Sequence, residues 1–330
     1  MKVFVTGGSG FLGGHLLAAL AEAGHTATAL ARSGTAERAV AARGAEPVRG
    51  ALGDRAALRQ GMAGCDAVVH AAALTGQWGP AQEFAEVNIN GTRAVLEAAR
   101  ESGVRRLVQV STEAVLADGR PLRDADESRT RPSRPVGEYA RTKGIAEDMV
   151  LGADGTAGLT TLAVRPRLVW GPGDATVLPA LLEAVRRGRY AWVDGGRYRT
   201  STCHVDNACA GILAALERGS GGRAYFLTDG EPVEFRAFLT ALAATAGTRL
   251  PDRSLPRWVL AAVARAGETA WRLLPLRGEP PVTRTFLVLS GQEMTVDDGA
   301  ARRELGYRPV ISRDEGLRRL AAETGAEPAD

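Results

Sequence analysis

The strongest constraint on this chain lies at its start. Lys2–Thr6 reads as a strand and passes directly into Gly7-Gly8-Ser9-Gly10-Phe11-Leu12-Gly13. Residues Leu12 to Ala23 then have helical spacing, closed by Gly24. Gly7 permits a tight turn, Gly10 lets backbone approach a pyrophosphate, and Gly13 lets the helix pack close to the sheet. The N-terminus of such a helix offers free N–H groups and about half a positive charge, which suits a phosphate. A glycine triplet alone is weak evidence. Set between a strand and a helix, with a βαβ pattern downstream, it points to dinucleotide binding.

Further strands are expected at Thr26–Ala31, Glu46–Arg49, Ala67–His70, Arg106–Val110 and Thr160–Arg165. Helical spacing runs from Asn88 to Ser102. Strands alternating with helices predict an α/β fold, a Rossmann-type doubly wound parallel sheet. Its ligands sit at the carboxyl ends of the strands, after Thr6, Ala31, Val69, Val110 and Arg165. Residues 1–165 are expected to form the dinucleotide-binding domain, with 200–230 returning to it. Residues 166–199 and 231–330 are expected to form a smaller, mostly helical C-terminal substrate-binding region; from Val177 on, helical stretches dominate, with strands near Arg223–Leu227 and Glu293–Val296. Ala117 to Glu138, rich in Gly, Pro and mixed charge, reads as a surface loop, either a lid or a plain connector. Glu323–Asp330 reads as a frayed tail.

Composition narrows the classes. The 330 residues are 45% hydrophobic and 24% charged, ordinary globular values that exclude a disordered or fibrous chain. The 41 basic residues are interspersed with 38 acidic ones and form no run, which argues against a nucleic-acid partner. Cys65, Cys203 and Cys209 form no CxxC and suit free thiols in a reducing compartment. The start shows no secretory h-region. The most apolar later stretch, Trp258 to Ala264, is bounded by Arg257 and Arg265 and is far short of the ~20 residues that span a bilayer. The expectation is a cytoplasmic protein with a small-molecule substrate and no membrane partner.

The end of the second strand bears on the choice of nucleotide. An acid there would bind the ribose 2′-hydroxyl of NAD. This chain has Leu30-Ala31-Arg32-Ser33 instead. Arg32 can grip a 2′-phosphate with Ser33 adding a hydrogen bond, which favours NADP with NAD as the alternative cofactor. Otherwise Arg32 is a solvated surface residue.

Tyr139-Ala140-Arg141-Thr142-Lys143 opens a helical segment in which residues i and i+4 share a face. A phenol titrates near 10. A lysine one turn away, and the cationic ring of an oxidised nicotinamide, are expected to lower it and make it a proton carrier. Val110-Ser111-Thr112 ends the fifth strand, where the crevice must be. Thr112 can orient a substrate oxygen while Tyr139 transfers its proton, or it can simply cap a turn.

With these residues in view, the chain resembles the extended short-chain dehydrogenases/reductases of the NAD-dependent epimerase/dehydratase superfamily. It is most similar to their 3β-hydroxysteroid dehydrogenase/isomerase-like branch, which includes dihydroflavonol-type reductases. The matching motifs are TGGSGFLG at Thr6–Gly13, HAAA at His70–Ala73, NINGT at Asn88–Thr92, VST at Val110–Thr112 and Tyr139-x-x-x-Lys143. RPRLVWGPGD at Arg165–Asp174, HVDN at His204–Asn207 and ELGYRP at Glu304–Pro309 follow. The resemblance implies Tyr139 as catalytic acid/base, supported by Lys143 and Thr112. It also implies cofactor contacts at Gly7, Gly10, Phe11, Leu12, Gly13, Arg32, Ser33, Leu52, Ala71, Ala72, Ala73, Asn88, Ser111, Tyr139, Lys143 and Pro166. It further implies a homodimer built on the Asn88–Ser102 and Tyr139 helices. The family often has Gly-Asp-Leu after the third strand. Here Gly50-Ala51-Leu52 lacks that Asp, and Asp54 nearby reads as the start of the next helix.

Nucleotide-sugar dehydratases of this kind have Thr-Asp-Glu after the fifth strand. Thr112-Glu113-Ala114 lacks the second carboxylate, which argues against dehydration. Glu113 either touches substrate or is a loop residue. The residues expected around a diphosphate sugar are poorly matched. Trp78, Trp170 and Trp192 suit either an apolar substrate pocket or core packing. His70 and His204 lack metal-ligand spacing and read as structural, so no metal site is expected. Asp206 and Asn207 are expected to cap a helix starting near Ala208. The reading is an NADP(H)-dependent ketone/alcohol oxidoreductase on a small to medium apolar substrate. The alternatives are a nucleotide-sugar epimerase and a non-catalytic dinucleotide sensor.

Overall fold

In the computed structural model, residues 1–274 and 276–324 are described. Strand β1 (Lys2–Thr6) leads through the glycine turn into α1 (Phe11–Glu22). There follow β2 (Thr26–Ala31), α2 (Gly34–Ala41), β3 (Glu46–Arg49), α3 (Arg55–Met62) and β4 (Ala67–His70). A helical turn at Ala81–Phe84 and a π-helical segment at Ala85–Asn90 then run into α4 (Gly91–Glu101). Next come β5 (Arg106–Val110), α5 (Glu138–Leu151), β6 (Thr160–Pro166), α6 (Val177–Arg186), α7 (Val205–Arg218) and β7 (Ala224–Leu227). The chain ends with α8 (Phe235–Ala244), α9 (Arg257–Leu273), α10 (Arg284–Ser290), α11 (Gly299–Glu304) and α12 (Arg313–Thr324).

The seven strands form one parallel sheet in the order β7-β6-β5-β4-β1-β2-β3. Its central strands are apolar on both faces because helices cover both faces. Leu16, Leu17 and Leu20 of α1 pack with Ile212 and Ala215 of α7 against Val5, Val69 and Val164 on one side. Leu58 of α3, Val95 of α4 and Val150 of α5 pack against Phe4, Val68 and Leu107 on the other. The strand order reverses between β1 and β4, so the crevice for a ligand opens beyond their carboxyl ends. A buried bidentate ion pair, Arg165 to Glu147 at 2.9 and 2.6 Å, fastens α5 to β6.

Several expectations change at the level of packing. The segment at 117–138 is more than a loop. Leu122–Ala125 is a strand paired in parallel with Met294–Val296, inside a small four-stranded sheet that also holds Arg199–Thr200 and Val233–Glu234. The helix after HVDN begins at Val205, and its cap is His204, whose ring accepts from the Asp206 N–H at 3.2 Å. Asn207 does not cap it. Its side chain donates to Asp229 and the Ile311 carbonyl and accepts from the Val310 and Ile311 N–H groups. Trp170 and Trp192 are core residues, so they do not form a substrate pocket. Trp170 packs edge-on to His204 and Phe238 and donates to Asp229 at 2.8 Å, while Trp192 donates to the Pro251 carbonyl at 2.9 Å. Glu323 and Thr324 belong to the last turn of α12 rather than to a tail; 325–330 lie outside the described residues.

Candidate active site

The glycine turn is built to hold something close. Gly7 has φ +77°, and a Cβ there would sit 2.8 Å from the Ala72 backbone nitrogen. A Cβ on Gly13 would overlap the Gly7 carbonyl oxygen. The first turn of α1 follows Gly10, which provides no side-chain cap, so Phe11 and Leu12 enter the helix with their N–H groups facing outward. Beside this cradle, Ser111 Oγ is buried at the end of β5 without a hydrogen-bond partner among the described residues. An uncapped helix start, a cradle that admits no side chain and an orphaned hydroxyl fit a dinucleotide phosphate and its ribose.

A chain of hydrogen bonds ties this cradle to the neighbouring strands. The Thr6 hydroxyl accepts from the Ala72 N–H at 3.2 Å and so gives its own proton to His70 Nδ1 at 2.7 Å. His70 Nε2 then donates to Thr92 Oγ1 at 2.9 Å, which donates to the Asn88 carbonyl at 2.7 Å. The imidazole is therefore a neutral, fully bonded core residue. Burial, with the Lys143 charge adding to it, holds its pKa down at about 3. Asn88 itself is clamped. Its amide accepts from the Leu74 N–H at 2.8 Å and donates to the Leu74 carbonyl and to Thr142 Oγ1. The π-helical segment turns this side chain inward, and it fixes the Ala71–Ala73 stretch relative to α5.

Thr112, Tyr139 and Lys143 converge at the end of β5. The Thr112 side chain lies beside the Tyr139 phenol. Thr112 also caps the turn that follows, accepting from the Ala114 N–H at 3.2 Å, so the two readings of this hydroxyl hold together. Lys143 is buried and donates to the Val110 carbonyl at 2.7 Å. Burial lowers the Lys143 ammonium to about 8, with Glu147 opposing.

The phenol behaves differently from the expectation. Its pKa is raised well above 10, because burial and the nearby Glu113 carboxylate outweigh the effect of the neighbouring Thr112 hydroxyl. Lys143 spends a donor on backbone rather than dominating the phenol. Glu113 is no loop residue: it is buried, accepts from Thr112 Oγ1 at 2.9 Å and pairs with the buried Arg167 at 3.1 Å. Arg167 in turn donates to Thr200 Oγ1 and the Leu289 carbonyl. Sequence reasoning missed this pair, although Arg167 stands just after the sixth strand, where ligand-facing residues belong.

The remaining expected site residues lie around the crevice. Arg32 and Ser33 are exposed at the end of β2, and Ser33 Oγ caps α2 by accepting from the Ala36 N–H at 3.2 Å. Leu52 packs where a Cβ on Gly91 would touch it. Asp54 caps α3, accepting from the Ala56 and Ala57 N–H groups. Pro166 ends β6.

Residues 3–227 match the NAD dependent epimerase/dehydratase family. The chain belongs to it. Among relatives of this epimerase/dehydratase-family protein is a 4-hydroxy-2-methyl-3-oxo-4-farnesyl-3,4-dihydroquinoline-1-oxide ketoreductase of Stigmatella aurantiaca. It is 50% identical, over 96% of this chain and 95% of that one. A 2-alkyl-3-oxoalkanoate reductase of Stenotrophomonas maltophilia is 39% identical, over 99% of this chain and 100% of that one. The crystal structure of gox2253 superposes with a TM-score of 0.78 at 30% identity, over 98% of this chain and 99% of that one. Further relatives are named sterol-4-alpha-carboxylate 3-dehydrogenase and 3 beta-hydroxysteroid dehydrogenase/Delta 5-->4-isomerase, which puts this family member in the 3β-hydroxysteroid dehydrogenase-like branch. It is an NAD(P)-dependent oxidoreductase acting on ketone and alcohol groups, and the epimerase alternative has less support.

Proposed function

We propose that this protein reduces an apolar ketone with NADPH, and that Thr112, Tyr139 and Lys143 carry the proton chemistry. The observation that carries this reading is the convergence of the three at the end of β5, with Thr112 beside the phenol and the Lys143 ammonium fixed on the Val110 carbonyl. A phenol carries its proton near neutrality, so it can supply the proton that the reducing direction needs. Bound in the glycine cradle, the nicotinamide dinucleotide supplies the hydride.

Thr112 holds the substrate oxygen beside the phenol. Tyr139 gives that oxygen its proton as negative charge develops there. The Lys143 ammonium, one donor fixed on the Val110 carbonyl, keeps two donors for ribose hydroxyls and supports the phenolate left behind. Arg32 and the Ser33 hydroxyl proton, at the N-terminus of α2, suit the 2′-phosphate of NADP. The lack of an acid at the end of β2 supports the same choice.

For the substrate, the 50% identity to a ketoreductase named for a farnesylated dihydroquinoline N-oxide favours a ketone carrying a long lipophilic chain. Residues 166–199 and 231–330 are proposed as the region that binds it. The test is NADPH consumption with a panel of alkyl- and prenyl-substituted cyclic ketones, with product identified by mass spectrometry. Stoichiometric alcohol formation supports the reading. The Tyr139→Phe variant should lose about 10²–10⁴-fold in turnover while still quenching NADPH fluorescence on binding. Full activity of that variant would overturn the assignment.

A further inference from the structure

Helix α9 carries the apolar run between Arg257 and Arg265 that the chemistry leaves unexplained. Leu260, Ala264 and Glu268, four residues apart, form its buried face, and Leu260 and Ala264 pack with Val193 and Leu287. The opposite face is Trp258, Ala262, Ala266, Thr269 and Leu273, all exposed and all uncharged. Trp258 is 75% and Leu273 77% exposed, and the chain continues with Leu274 at 55% and Leu276 at 43%. Scattered exposed apolar residues are ordinary, but an aligned stripe ending in a leucine cluster is a patch. Its border is cationic: Arg265 and Arg272 flank the stripe along one edge. The helix's one acid, Glu268, points inward and is taken up by the Arg284 backbone N–H and guanidinium at 2.7 Å each, with the Arg272 guanidinium farther off at 3.9 Å.

We propose that the outer face of α9 docks on the surface of an anionic lipid bilayer. An apolar stripe carrying a tryptophan, edged only by arginines, is the composition of an interfacial helix. The arginines complement acidic headgroups. They disfavour a second copy of the chain, because an antiparallel pairing across the stripe sets the arginine edges against each other. The contact lies on the bilayer rather than through it, since no helix among the described residues is long and apolar enough to cross a membrane.

The position of α9 gives the contact a purpose. The Arg272 guanidinium lies over the Trp78 ring at 5.6 Å, in the segment that follows the HAAA run. In α10, just downstream, Thr285 packs on Gly137, two residues before Tyr139. The lipid-facing helix therefore borders the entrance to the site, and a ketone dissolved in the bilayer has a short path to Tyr139. This last step rests on the function proposed above; the docking itself does not.

The test is co-sedimentation of the full chain with phosphatidylcholine vesicles, with and without phosphatidylglycerol. Binding is expected to rise about tenfold or more with the anionic lipid and to fall with salt. The variants Trp258→Ser/Leu273→Ser/Leu274→Ser and Arg265→Glu should each lose that gain, while NADPH binding without lipid, read by fluorescence, and the circular dichroism spectrum stay unchanged. No binding to anionic vesicles, or equal binding by the variants, overturns the proposal. So does a wild-type dimer that the triple variant converts to monomer, since a second copy would then cover the face. If the vesicle results hold and no ketone is reduced, the docking stands and the proposed function falls.

Discussion

Thr112 gives its hydroxyl proton to Glu113, with Oγ1 2.9 Å from Oε2, and Glu113 is held in turn by Arg167. The hydroxyl that should orient the substrate is thus itself oriented by a buried carboxylate. A ketone oxygen only accepts, so holding it requires that proton to swing away from the carboxylate. The negative charge of the carboxylate keeps the Tyr139 proton in place.

Removing that charge while keeping the shape should therefore free the phenol. In Glu113→Gln the pH at which alcohol oxidation rises is expected to move down by about one unit or more, since a close charge shifts a pKa by that much. Reduction should decline from a correspondingly lower pH. Glu113→Ala leaves the buried Arg167 unpaired and should cost about 3–5 kcal/mol of stability. Rate profiles in both directions, with urea unfolding of both variants, check this. An unchanged profile in Glu113→Gln would remove Glu113 from the site's chemistry.

Arg32 is exposed at the end of β2. A charge-assisted bond is worth about 1.5–3 kcal/mol, so Arg32→Ala should raise KM for NADPH roughly ten- to hundredfold and leave KM for NADH nearly unchanged. Ser33→Ala should lower stability by about 1 kcal/mol as well, because Ser33 caps α2. Steady-state kinetics with both nucleotides separate the two effects, and equal changes for both nucleotides would argue against 2′-phosphate recognition.

His70 sets an acid limit on the fold. Folded, it stays neutral down to about pH 3, whereas unfolded it takes a proton below about 6.5. The unfolded state therefore binds more protons in that window. Stability should fall as pH drops from 6.5 toward 3, by up to about 1.4 kcal/mol per pH unit from this residue. His70→Asn should be less stable at pH 7 but show a shallower pH dependence. Denaturant titrations between pH 4.5 and 7.5 would reveal a slope unchanged by the substitution if the idea is wrong.

Much of this was legible in order along the chain. The glycine turn, the alternation of apolar runs with helical spacing, and the Tyr139–Lys143 interval are local patterns. Local backbone rules turn such patterns into strand, turn and helix with few alternatives. Asp54 as a helix start followed from short-range capping in the same way, whereas the cap at Ser33 emerged only with the structure. The cap at His204 was misread because Asp206 and Asn207 are equally good capping types, and what displaced Asn207 is a distant strap at Val310–Ile311.

What the linear order determined is the scaffold and the glycine turn, because each depends on neighbours within a few positions; the same order singles out the residues proposed to carry the proton. The tertiary structure alone decided their electrostatics. Glu113 meets Arg167 only because β5 and β6 lie side by side. Trp170 and Trp192 became core only when helices from the C-terminal half closed over them. The outward face of α9 became a surface only when its other face was buried. Burial and long-range charge set a phenol's pKa, and neither can be read from sequence spacing.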